Sequence, residues 1–166
     1  NSPDNGFIAL SYFGVERYPT PEGDIGIDLI REHFQGLADS GYVAITQQDI
    51  IDYYTKDKLL PPKSLYLIFE MGKRDTAINV QGILEKHNYK ATMFTYAETL
   101  NSTDPNFLNP GEIRDMEKTT YWESGSQGYR PNIINAFDRY GRYLGQLDML
   151  RFAALHSTLS RRYNHY

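Results

Sequence analysis

The stretch Leu60-Pro61-Pro62-Lys63-Ser64-Leu65-Tyr66-Leu67-Ile68-Phe69-Glu70-Met71-Gly72 decides the fold. Two consecutive prolines cannot continue a helix, and they stiffen the approach to the segment beyond them. Leu65 to Phe69 is an unbroken apolar run, the pattern of a strand buried on both faces in a parallel sheet. It stops at Glu70, which puts a carboxylate at the C-terminal end of a buried parallel strand, where folds of this kind place their sites.

Working outward from it, each side alternates strand and helix. Upstream, Phe7-Ile8-Ala9-Leu10-Ser11-Tyr12 is a strand closed by Gly14 and the turn formers of residues 19–23. Ile27, Ile30, Phe34 and Leu37 recur at helical spacing up to Ser40-Gly41, where glycine suits the left-handed residue after a helix end. Residues 42–45 form a second strand. Thr46, three residues before Asp49, opens a helix carrying Ile50, Ile51 and Tyr54. Downstream, Ile78, Val80, Ile83 and Leu84 mark a helix running to about His87-Asn88, and residues 91–96 are the next strand. Asn109-Pro110-Gly111-Glu112 has the form of a capping box with proline at the first helical position. Tyr121-Trp122-Glu123 is a short strand. Beyond Gly125 the pattern weakens until Leu147, Leu150, Ala154 and Leu155, which predict a final helix with a basic end at Arg161-Arg162.

Strands that alternate with helices pair in parallel, because each return needs a crossover. The class is α/β. At upwards of about 30 residues per crossover unit, 166 residues hold about five units, short of the eight of a closed barrel. A parallel (β/α) barrel that is incomplete or truncated is expected, as one domain over residues 1–166.

Composition narrows the function. The formal net charge of −4 supplies no global positive field for a phosphate backbone, so nucleic acid is not an expected partner. The absence of cysteine removes disulfides, thiolate metal sites and Cys nucleophiles. No apolar run approaches the roughly 20 residues of a membrane span. The chain opens with Asn1 rather than Met, which we read as the start of a piece of a longer protein. His33, His87, His156 and His165 are scattered, with no HExxH or carboxylate-flanked pair at metal spacing.

The run from Leu60 to Gly72, followed by Ile83-Leu84-Glu85-Lys86-His87-Asn88-Tyr89-Lys90-Ala91-Thr92-Met93-Phe94, resembles the NodB-type polysaccharide deacetylases, carbohydrate esterase family four. Members typically read Leu-Pro-Pro-Lys, a strand ending Thr-Phe-Asp-Asp-Gly, a helix, then Gly-Phe-Lys-Ala-Thr-Phe-Phe. The lead-in around Leu37, Gly41-Tyr42, Ile45-Thr46 and Asp49 is similar as well. Downstream, Trp122-Glu123-Ser124-Gly125-Ser126-Gln127-Gly128-Tyr129 stands where the family has Glu-Ile-Gly-Asn-His-Thr-Tyr. The resemblance spans about residues 30–131. It implies a metal-dependent deacetylase frame acting on polysaccharide or oligosaccharide, outside the cell or in the envelope of a bacterium.

The departures are chemical. In the family the first motif Asp is the general base, and the second holds a zinc-like ion with two His spaced four apart. Here the base position is Glu70, the metal-Asp position Met71, the first His position Gln127 and the second Pro131, or Arg130 if one residue is skipped. A thioether is soft and neutral, an amide oxygen is a weak donor, proline has none, and a guanidinium repels a cation. No metal cofactor is therefore expected, although the family uses a divalent ion such as zinc. Without it nothing polarises the acetyl carbonyl or activates water, and a base alone contributes only about 10² to 10⁴ in rate. Loss of deacetylation is the expectation, with the frame serving glycan binding or a scaffold role.

Candidate residues carry competing readings. Glu70 is either a base position or the partner of Lys73 or Arg74, and Met71 is a filler of the strand end. Gln127, Tyr129 and Arg130, with Trp122, line a sugar cleft by hydrogen bonding and stacking, or the first three belong to an ordinary polar loop. Two other functions stay open. One is an active carbohydrate deacetylase or hydrolase using Glu70 and unidentified ligands. The other is a protein-interaction module, since an incomplete sheet leaves an edge that a neighbouring domain or a second copy would cover.

Overall fold

The computed structural model describes residues 6–18, 25–125, 133–137 and 143–148. In chain order the elements are strands β1 (Phe7–Tyr12), β2 (Val15–Glu16) and β3 (Ile25–Gly26), helix α1 (Ile27–Asp39), β4 (Val43–Ala44), α2 (Gln47–Thr55), β5 (Ser64–Phe69), α3 (Arg74–His87), β6 (Ala91–Phe94), α4 (Ala97–Leu100), α5 (Pro110–Lys118), β7 (Trp122–Gly125), β8 (Ile133–Phe137) and β9 (Tyr143–Asp148). The main sheet runs β7-β6-β5-β1-β8-β9, with β4 beside the first half of β5. Every pairing is parallel except β8 with β9. This is the open (β/α)-barrel frame that the alternation predicts.

The local signals act as their chemistry requires. Thr46 and Asp49 form a full capping box at α2, as Asn109 and Glu112 do at α5 with Pro110 in its first turn. Gly41, at φ +85°, ends α1 by bonding its N–H to the Ala38 carbonyl, while Tyr42 N–H reaches Leu37 O, the two bonds of a Schellman motif. Asn88 closes α3 in the left-handed conformation, which asparagine tolerates.

β5 organises the interior, all six of its residues being buried. Its side chains alternate between two clusters. Leu65, Leu67 and Phe69 join Ile30 and Phe34 of α1 and Val80, Ile83 and Leu84 of α3 in the larger one. Tyr66 and Ile68 join Ala9, Phe94, and Ile50 and Tyr53 of α2 in the smaller one, on the barrel-interior face. A buried aliphatic or aromatic side chain contributes about 1.5–3 kcal/mol, so the centre of the sheet is held from both sides. Ile78, assigned by spacing to the apolar face of α3, is instead 65% exposed.

The downstream expectation requires a correction. Leu147, assigned to a final helix, lies in β9. Ile133, Ile134 and Phe137 suit a strand, but the alternation is weak, and it is the antiparallel pairing of β8 with β9 that decides against a helix here. Leu150, Ala154, Leu155, Arg161 and Arg162 lie outside the described residues, as does the 19–23 turn cluster. The parallel β2–β3 pair adds a small second sheet that residue patterning does not signal.

Candidate functional site

Three strands deliver the site. The Glu70 amide bonds the Tyr12 carbonyl at 2.8 Å, continuing the ladder between β5 and β1 one residue past the strand. By alternation Glu70 follows Tyr66 and Ile68 onto the interior face. Tyr96 follows Thr92 and Phe94 onto the same face from β6. The two meet there, the Tyr96 hydroxyl donating to Glu70 Oε2 at 2.8 Å. Glu70 is 0% exposed and Tyr96 2%. An ionised acceptor strengthens such a bond. A carboxylate in this position is sealed from solvent and has a phenol as its partner, whereas a general base must come within hydrogen-bond reach of the proton it takes.

The ion pair considered for Glu70 does not form with Arg74. That guanidinium grips Glu112 in a fork, Nε to Oε2 at 2.8 Å and Nη2 to Oε1 at 2.5 Å, and also donates to the Phe107 carbonyl. The pair holds the Glu112 carboxyl down at about 2, the Arg74 bond being the main cause and the Asn109 backbone N–H the next.

Met71 is buried, as expected of a filler, but its backbone is unusual, with φ +81° followed by Gly72 at +62°. The chain reverses sharply, and the Leu108 amide bonds the Gly72 carbonyl at 2.9 Å. Met71 does not suit the divalent ion implied by the resemblance. Zinc takes imidazole, thiolate or carboxylate donors; Met71 offers a thioether, whereas Glu70 is a carboxylate whose Oε2 accepts from Tyr96. Among the described residues no group of three or more His, Asp or Glu is placed to hold a metal. Gln127, Tyr129, Arg130 and Pro131 lie outside the described residues.

Trp122 is corrected from sugar platform to core. Its alternation turns it to the helix side, where it is 4% exposed and meets Phe69 edge-on at 5.6 Å between ring centroids. Its Nε1–H donates to Gln81 Oε1 at 2.7 Å, satisfying the one polar atom of the indole. Of the histidines, His33 lies within α1 and His87 ends α3.

Two participants carry no signature in the residue pattern. Spacing puts Tyr96 on a strand without giving it a role, although its parity with Phe94 is an available signal. Glu123, on β7, accepts the Gln47 backbone N–H at 2.9 Å (Oε2) and 3.1 Å (Oε1), and the Gln47 side chain donates to the Ser124 carbonyl at 3.0 Å. A carboxylate at a helix N-terminus is electrostatically favoured, so Glu123 latches α2 across the interior face. Burial pushes its carboxyl above the ordinary range, against the lowering effect of the Gln47 bonds. Gly125 completes the floor: a Cβ there would lie 2.4 Å from the Phe94 ring, so only glycine fits without rearrangement.

The family model for polysaccharide deacetylases matches residues 57–144, more than half of the chain. The chain belongs to the polysaccharide deacetylase family. Among curated relatives of this deacetylase-family domain is the poly-beta-1,6-N-acetyl-D-glucosamine N-deacetylase of Escherichia coli (strain K12), 24% identical over 135 residues. That match covers 80% of this chain and 20% of the relative, so the chain spans about a fifth of that protein's length. Solved structures share the fold. The de-N-acetylase from Aggregatibacter actinomycetemcomitans superposes with a TM-score of 0.62 at 23% identity, covering 83% of this chain and 60% of that one. The BpsB deacetylase domain from Bordetella bronchiseptica gives 0.60 at 18% identity over 97% of this chain and 75% of that one. These relatives are bacterial deacetylases. No helix among the described residues is long and apolar enough to cross a membrane.

Proposed function

We propose that this polysaccharide deacetylase-like domain has lost metal-dependent deacetylation and serves to bind glycan within a longer bacterial protein of the envelope or exterior. One observation carries the reading: Glu70, which the resemblance assigns to the base position, is fully buried and hydrogen-bonded to Tyr96. Hydrolysing an acetamide needs an electrophile to polarise the carbonyl as well as a base. The sequence supplies neither imidazole nor carboxylate at Met71, Gln127 or Pro131. In this reading Gln127, Tyr129 and Arg130 contribute hydrogen bonds and stacking to the glycan. Poly-β-1,6-N-acetylglucosamine is the first glycan to try, because the curated relative is named for acting on it.

The test has two arms. Protein dialysed against trace zinc at neutral pH is analysed for metal and assayed on acetylated glucosamine oligomers, and oligomer binding is followed by calorimetry. Near-zero zinc, no release of acetate and saturable binding are expected. Turnover that is abolished in both Glu70→Ala and Glu70→Gln would overturn the proposal, as would about one zinc per chain.

A further inference from the structure

Between α1, α3 and the segment after β2 lies a cleft of about 640 Å³. That is the volume of an ordinary ligand site, commonly about 300–1,000 Å³. Its walls are pinned. Val15 N–H donates to Thr76 Oγ1 at 3.1 Å, and Asn79 of α3 donates to the Val15 carbonyl at 3.0 Å, so β2 is held to the helix behind it.

Among the described residues that line it are three cations, Arg17, Arg31 and Lys86, and one acid, Asp28. Arg31 pairs with Asp28 at 2.9 Å on the surface. Arg17 and Lys86 engage no carboxylate among the described residues. This concentration of positive charge stands on a chain of net charge −4, so it is a local feature and not a reflection of composition. Beside it the Tyr18 ring is 74% exposed. Ile78, Gly82 and Lys86 stand one turn apart along α3, and in the middle of that row Gly82 leaves open space, with nothing within 4 Å of where its Cβ would be. Glycine weakens a helix interior relative to alanine, and packing does not require it here.

We infer that this cleft binds an acidic saccharide segment, with Arg17 and Lys86 on its carboxylates, Tyr18 against a sugar face and the Gly82 gap receiving a ring. An acidic sugar combines an anion, hydroxyls and a flat CH face in each unit, matching cations, polar side chains and an exposed aromatic in one concavity. A peptide strand would need a sheet edge for its main chain, and a peptide helix a row of apolar sockets. The row on α3 offers one isoleucine, a gap and a lysine. None of the residues of this cleft is among Gln127, Tyr129 and Arg130, so either assignment can fail without the other.

The experiment titrates tetragalacturonate, neutral maltotetraose and poly-L-glutamate into the full chain at low salt. Binding of tetragalacturonate alone is expected, weakened by added sodium chloride. Arg17→Glu and Lys86→Glu are each expected to weaken it by about tenfold or more, since reversing an exposed charge exchanges attraction for repulsion. Gly82→Gln should abolish binding by filling the gap while thermal stability holds or rises, so that loss of binding is not mistaken for loss of fold. Absence of tetragalacturonate binding overturns the inference, as does binding that survives Gly82→Gln or maltotetraose binding of equal strength. Poly-L-glutamate binding with the same sensitivity to these variants overturns the saccharide assignment in favour of an acidic peptide.

Discussion

Glu70 and Glu112 are two carboxylates with opposite fates. Glu70 stands four residues before Arg74 in the chain and takes no bond from it; Glu112, thirty-eight residues away in sequence, holds that guanidinium in a fork. Strand geometry explains the difference. Successive side chains on a strand point to opposite faces, so parity commits Glu70 to the interior, whereas Arg74 opens α3 on the helix side and meets the first turn of α5. Closeness in sequence is a poor guide to ion pairing across a strand end. One carboxylate is dry and phenol-bound, the other wet and cation-bound.

The sharpest way to break this contrast is Glu70→Ala. If Glu70 is a structural partner, removing it takes an acceptor from the Tyr96 hydroxyl, leaves a cavity and costs about 2–4 kcal/mol in urea unfolding. A variant as stable as the parent, or more stable, would mean that the carboxylate is held at a cost, as working groups often are, and the contrast would fail. Tyr96→Phe is the next largest. It deletes one hydrogen bond to a buried acid at nearly constant shape, and a loss of about 1.5–3 kcal/mol is expected; no change would show that the bond is not made in solution.

The smallest effect concerns Glu112, which is partly in water and therefore screened. Its carboxyl is lowered in the folded state to about 2. A lowered acid contributes stability above its ordinary value near 4.5 and loses it as pH falls towards 2. The melting temperature should therefore drop in that window, and Glu112→Gln should flatten that part of the profile. A profile identical to the parent's would show that the fork has no energetic weight.

Much of the frame is legible in the residues alone. The apolar run of β5, both capping boxes and the Gly41 helix end rest on short-range chemistry that carries its own signature. The family is legible because Leu60 to Gly72 and Lys90 to Phe94 keep their spacing. The hidden part depends on long-range placement. Trp122 is an aromatic that suits a sugar or a core equally well, and only its parity within β7 decides. Tyr96 and Glu123 acquire partners 26 and 76 residues away, which no local pattern encodes. β8 and β9 stay hidden because the alternation there is weak and the spacing from Leu147 onward also fits a helix.

The turn at Met71 sets a strained residue directly beside the buried acid. Positive φ is uncommon outside glycine and is tolerated best by Asn and Asp among the rest, whose short polar side chains bond the nearby backbone; holding another residue there costs of order 1–3 kcal/mol. Met71, at φ +81°, is such a residue. A folding free energy that is small for any domain therefore carries this turn as a standing load.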